Sequence, residues 1–237
     1  MKIIVVQKDF YLGGITKACT NFVNILSDFG IDVSLVTFDP LHDIQKEFNK
    51  TVKVIKANQS LDAFAVCYGD SKKYGIKFRI KWMILRLWSK LFGNELPLKL
   101  ALKKQVMLDG DYDIAIAFSP STCSKSFSVG SSEFVLEKIK AKKKFVFVHN
   151  DFKNAGLNTD FVIDGLSKFD KILCVSKSCA ENMRNAVPQL KKQIDYLYNF
   201  ANVSQIKDKS QEFKVVYPKS FNIVSVSRLS EEKGHIR

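Results

Sequence analysis

The first 38 residues, Met1 to Phe38, read MKIIVVQKDFYLGGITKACTNFVNILSDFGIDVSLVTF, and their pattern decides the architecture. Ile3 to Val6 is an unbroken apolar run, as in a strand buried on both faces of a parallel sheet. Thr16 to Phe29 places Ala18, Phe22, Ile25, Leu26 and Phe29 at helical spacing, and Gly30 ends the helix where a left-handed residue costs least. A second apolar run, Val33 to Phe38, follows. Strand, helix, strand is a βαβ unit, and it sets its two strands parallel in one sheet.

The alternation continues along the chain. Further strand-like runs are Val52 to Ile55, Ile114 to Phe118, Phe145 to Val148, Ile172 to Val175, and Tyr196 to Leu197 with its flanks. They predict an α/β, Rossmann-like doubly wound parallel sheet over residues 1–200, with ligands bound outside the carboxyl ends of the strands. Asn199 to Ser220 reads as weakly structured, so 201–220 is expected to be a linker. Phe221 to Val226 reads as a new strand, opening a second Rossmann-like domain in 221–237. No internal repeat is visible.

Composition narrows the function classes. With 46% hydrophobic and 26% charged residues over 237 positions, the chain can bury a sizeable core. No stretch approaches the ~18 uninterrupted apolar residues of a membrane span, and Met1 to Asp9 lacks the features of a signal peptide. Cys19, Cys67, Cys123, Cys174 and Cys179 are scattered, odd in number and without a C-x-x-C pair, which predicts reduced thiols, no metal and a cytoplasmic setting. Of the net +13, the segment Lys72 to Lys104 supplies +9, with ten Lys or Arg against the single acid Glu95. Such a segment attracts phosphates. Because the excess is local and no nucleic-acid-binding pattern accompanies it, no nucleic-acid partner is expected.

Four strand-end clusters could carry chemistry. After the first strand, Tyr11-Leu12-Gly13-Gly14-Ile15 leads directly into a helix: Gly13 and Gly14 would let backbone approach a ligand, and the helix start would offer N–H groups to an anion. The order is not G-x-G-x-x-G, which disfavours a nicotinamide or flavin dinucleotide. Val148-His149-Asn150-Asp151 ends another strand; His149 could meet a sugar hydroxyl or phosphate, or bond backbone, and Asp151 could cap a helix. Ser176, in Cys174-Val175-Ser176-Lys177-Ser178, reads first as a helix cap and second as a cleft contact, while Asn199 in Tyr198-Asn199-Phe200 suits the hinge side of a cleft. In Ser225-Val226-Ser227-Arg228-Leu229-Ser230-Glu231-Glu232-Lys233-Gly234, Arg228 and Lys233 can converge on one diphosphate.

This succession, G-G-I after the first strand, a later strand-end His, V-S-x-S before a helix, Y-N-F ahead of a linker and then V-S-R-L-S-x-E-K-G, resembles the family-four retaining glycosyltransferases of the GT-B fold. The resemblance implies a transferase that moves a sugar from a UDP- or GDP-sugar to a glycan or lipid-linked acceptor in bacterial cell-surface polysaccharide synthesis, with no other cofactor and no metal. It assigns the donor diphosphate to Gly13, Gly14, Arg228 and Lys233, the transferred sugar to His149 as catalytic residue, and cleft contacts to Asn150, Asp151, Ser176 and Asn199. The family's paired-glutamate motif is not found, since Glu231 and Glu232 lie in the turn before Lys233. A truncated donor-binding domain, inactive in isolation, is therefore expected; the alternative is a non-catalytic acceptor-binding module that partners a separate donor domain. Asp109-Gly110-Asp111-Tyr112-Asp113 reads as a loop, with a cation site as the minor alternative.

Within the basic segment, Phe78 to Phe92 at helical spacing puts Arg79, Arg86 and Lys90 on one stripe and Ile80, Ile84, Leu87, Trp88 and Leu91 on the opposite face. The two readings are a core helix with solvated cations and, with Trp82 and Trp88 as interfacial aromatics, a helix lying on an anionic membrane at its inner face.

Overall fold

The computed structural model describes residues 1–39, 44–127, 129–212, 216, 218 and 220–227. Residues Met1–Ala201 form one compact unit and Asn202–Arg237 a second. The first is built on a seven-stranded sheet of β1 (Lys2–Val6), β2 (Asp32–Thr37), β3 (Lys53–Lys56), β4 (Leu108–Ala117), β5 (Ile139–Val148), β6 (Lys171–Cys174) and β7 (Ile194–Tyr196). The strand order is β3-β2-β1-β4-β5-β6-β7 and every pairing is parallel.

The period-2 alternation of strand side chains splits the core into two layers. Ile3 and Val5 of β1 join Ala18, Cys19, Phe22 and Val23 of α1 (Gly14–Asp28) on one face. Ile4 and Val6 point to the other, which is covered by α2 (Asp62–Ala65), α4 (Glu95–Lys103), α5 (Ser131–Lys138), α6 (Asp160–Ser167) and α7 (Lys177–Ala186). The long β3 to β4 crossover also carries α3 (Gly75–Phe92). Helices on both faces make the sheet doubly wound, as expected. Gly30 follows α1 with φ +74, the left-handed position its place in the sequence predicts.

Two elements begin earlier than their apolar runs. Leu108–Asp113 is the bulged opening of β4, not a loop: the register shifts between Asp109 and Tyr112, and Asp111 takes φ 52. The carboxylates there serve as partners for β5, Asp109 for Lys140 at 3.3 Å and Asp113 for Lys142 at 2.7 Å. Asp113 also accepts from the Lys2 amide. These cross-strand pairs account for the acidic spacing without a cation.

In the second unit, the expected linker holds a helix, α8 (Val203–Ser210), capped by the Asn202 side chain, which accepts from the Gln205 amide at 3.0 Å. Phe221 to Val226 is not a strand; its apolar side chains are exposed. A strand is stable only with a hydrogen-bonded neighbour, and among the described residues none pairs with it.

Candidate functional site

Strand order reverses beside β1: the chain winds outward through β2 and β3 on one side and through β4 to β7 on the other. A crevice opens outside the carboxyl ends of β1 and β4 at such a switch point. The loops after β1, β2, β4 and β5 bring the glycine turn, Asp39, Phe118 and His149 to this edge.

The loop after β1 is tied down except at its glycines. The Phe10 amide donates to the buried Asp39 carboxylate at 3.1 Å, Lys8 and Asp9 form an ion pair, and the Tyr11 hydroxyl accepts from the Cys67 amide at 3.0 Å. The Thr16 hydroxyl donates back to the Tyr11 carbonyl at 2.6 Å. Gly13 is the N-cap of α1 in an extended conformation, with no side-chain cap and no acid in the first turn. A Cβ added at Gly14 would meet nothing within 4 Å, and at Gly13 only the Tyr11 carbonyl at 3.9 Å. Neither backbone conformation nor packing within the chain requires glycine at these positions. Just below, the Gln7 side chain is buried and its Oε1 has no partner.

At the end of β5 the His149 ring lies against Phe118 and Phe147, with centroids 4.8 and 5.6 Å away. Its Nε2 is 2.8 Å from the Phe118 carbonyl oxygen. A carbonyl only accepts, so Nε2 carries the proton and Nδ1 presents a lone pair. Burial lowers the imidazole pKa to about 4, against the opposing pull of the Phe118 bond, so the ring is neutral at physiological pH. The Phe118 amide in turn donates to Val6 at the end of β1, which ties His149 to the glycine strand through one backbone residue.

The remaining sequence-named residues divide differently. Asp151 accepts from the Asn154 amide at 2.8 Å and the Asn182 side chain at 2.9 Å, bonds that hold its carboxyl below the usual range. It fastens the loop after β5 to α7. Ser176 is the N-cap of α7, accepting from the Cys179 amide at 3.1 Å. Asn150 and Asn199 are exposed. Arg228 and Lys233 lie outside the described residues. Trp82, read as an interfacial aromatic, is turned inward: it is buried, and its Nε1 donates to the Val66 carbonyl at 3.0 Å.

Two cavities lie in this unit, the second beside the β1 loop, and neither was assembled from the sequence. One, of about 700 Å³, is lined by Asp39, Asp62, Tyr74 and the lysines Lys56, Lys81 and Lys104. Burial pushes the Asp62 carboxyl up to about 6. The other, of about 570 Å³, lies between Asp9 and Tyr11, the aromatic rings of Phe64, Tyr68, Trp82 and Phe127, and the cations Arg86, Lys90 and Lys125. The signal for the second was the basic character of Lys72 to Lys104, but Lys125 and the β1 loop join it only through the fold.

No family model matches the chain, and no curated protein is similar to it. Among solved structures, it is similar to an alpha-glucosyltransferase in complex with UDP and a 13-mer DNA containing a HMU base, with TM-score 0.46, 14% identity, and coverage of 88% of this chain and 45% of that one. It is also similar to Anabaena HepE in complex with UDP and glucose, with TM-score 0.43, 10% identity and 89% and 50% coverage. A third is an S. aureus TarM mutant in complex with Fondaparinux, alpha-GlcNAc-glycerol and UDP, with TM-score 0.45, 12% identity and 93% and 64% coverage. The chain spans about half the length of the first two.

Proposed function

We propose that this chain is the acceptor-side lobe of a retaining glycosyltransferase that takes its sugar from a UDP- or GDP-sugar and passes it to a glycan or lipid-linked acceptor in bacterial cell-surface polysaccharide synthesis. The observation that carries the reading is the glycine turn at the switch point. Read this way, Gly13 and Gly14 let a ligand approach the backbone, and among the described residues nothing accounts for their lack of side chains. By the family resemblance, Arg228 and Lys233 are the cations assigned to the donor diphosphate; both lie outside the described residues.

Charge builds on the leaving diphosphate as the glycosidic bond to the donor breaks. Amide groups at the start of α1 would stabilise it. Neutral His149 suits a hydrogen bond to a sugar hydroxyl through Nδ1 and is not a proton reservoir at neutral pH. Asn150 and Asn199 remain candidate cleft contacts, whereas Asp151 and Ser176 act by holding loops and a helix in place.

Isothermal titration of the protein from its complete reading frame against a panel of UDP- and GDP-sugars tests the reading, with the anomeric configuration of any product deciding retention. Binding of at least one donor is expected; silence across the panel refutes it.

A further inference from the structure

The helix α3 is arranged opposite to a helix of a water-soluble surface. Among its 18 residues only Trp82 and Ser89 are buried. The basic stripe flanks the buried Trp82: Arg79 donates to the Tyr68 hydroxyl at 3.2 Å, and the Arg86 guanidinium, itself exposed like Lys90, lies 5.0 Å from the Trp82 ring centroid. The apolar stripe faces outward, with Ile84 60%, Leu87 58% and Leu91 58% exposed. Leaving these chains in water forgoes the favourable free energy of burying them. A continuous outward row of this size marks a surface that is covered in use.

The occupant is indicated by charge. Five Lys or Arg and no acid lie on α3, so the charge surrounding this face favours an anionic partner over a second copy carrying the same charges. Arg86, Lys90 and Lys125 converge on the 570 Å³ cavity and pair with no carboxylate among the described residues. A separate, shallower depression along α3, lined by Tyr68, Trp82, Met83, Arg86, Leu87 and Lys90, shares four of these residues with the cavity. A phosphate held inside would thus be continuous with an apolar body lying along Met83 and Leu87.

We infer that α3 is a membrane-surface helix: its outward apolar face enters an anionic bilayer, and Arg86, Lys90 and Lys125 draw a lipid phosphate headgroup into the cavity beside the glycine loop. The identification of that lipid as acceptor rests on the transferase reading; the binding itself does not. Tryptophan placement agrees, since Trp88 is at the exposed edge where an interfacial ring sits, while Trp82 floors the cavity.

Flotation with phosphatidylcholine vesicles, with and without phosphatidylglycerol, tests this in the absence of any sugar nucleotide. The protein is expected to float only with the anionic vesicles. The double variant Ile84→Ser/Leu87→Ser, which alters exposed side chains alone, should lose flotation. Lys125→Glu, which is not on α3, should lower partitioning by about tenfold or more, whereas the control Lys191→Glu/Lys192→Glu, at the amino edge of β7, should change it less than about twofold despite the larger loss of charge. Circular dichroism confirms that each variant is folded. Equal recovery with both vesicle types, unaltered flotation of the serine variant, or a control as damaging as Lys125→Glu would each overturn the proposal. A concentration-dependent dimer abolished by the serine variant, with no vesicle binding, would assign the face to a second copy instead.

Discussion

The Nε2–H of His149 donates to the carbonyl oxygen of Phe118 across 2.8 Å, so the backbone at the end of β4 fixes the tautomer of the ring at the end of β5. One nitrogen is thereby committed to structure and the other left as an acceptor. This differs from a general acid or base, which must exchange a proton near neutral pH.

His149 is therefore expected to stay neutral down to about pH 4, against an ordinary value near 6.5. Because its folded pKa is depressed, it contributes stability that is complete above the ordinary value and is lost as the pH falls toward 4. An NMR titration of the ring should show its midpoint well below that of the exposed-peptide histidine. His149→Asn should flatten the decline in stability between these two pH values. A midpoint near 6.5 would mean that the ring is not desolvated as the Phe118 and Phe147 contacts require.

Asp62 carries the opposite sign. Its carboxyl is pushed up to about 6, first by burial, so its contribution is complete below the ordinary carboxylate pKa and is lost as the pH rises through 6. Asp62→Asn should be more stable than the natural protein at about pH 8, and the difference should vanish below about pH 4, as read by urea unfolding at the two extremes. An equal loss at both would show that the side chain is needed for a hydrogen bond instead.

Ser176 is predicted to matter to stability and not to ligand. Replacing an N-cap serine with alanine costs about 1 kcal/mol, and threonine restores most of it. Ser176→Ala should lower the urea midpoint while leaving donor affinity unchanged. Weakened donor binding with an unaltered midpoint would return Ser176 to the cleft.

The parts of this protein legible in its sequence are those where one physical demand dominates. Ile3 to Val6 and Val33 to Phe38 are buried on both faces, so apolar runs betray them, and Gly30 and Ser176 occupy positions that their own chemistry dictates. The polar openings of β4 and β5 were hidden because Asp109, Asp113, Lys140 and Lys142 satisfy one another across strands, and such residues read as loop. Helical periodicity separated the two stripes of α3 but carries no sign: it could not tell that Arg79 and Arg86 lie over the Tyr68 and Trp82 rings while Ile84 and Leu87 face outward. Of the cavity cations, Arg86 and Lys90 share α3, and only the fold brings Lys125 to them.

The central claim is that the glycine turn after β1 receives the donor's phosphates, and the dissociation constant of a UDP- or GDP-sugar for the complete protein and its Gly14→Val variant tests it most directly. A Cβ at Gly14 meets nothing within 4 Å among the described residues, so the variant should unfold within about 0.5 kcal/mol of the natural protein. It should nonetheless bind the donor at least about tenfold more weakly, a loss of about 1.4 kcal/mol. Equal affinity in the two proteins would contradict the account.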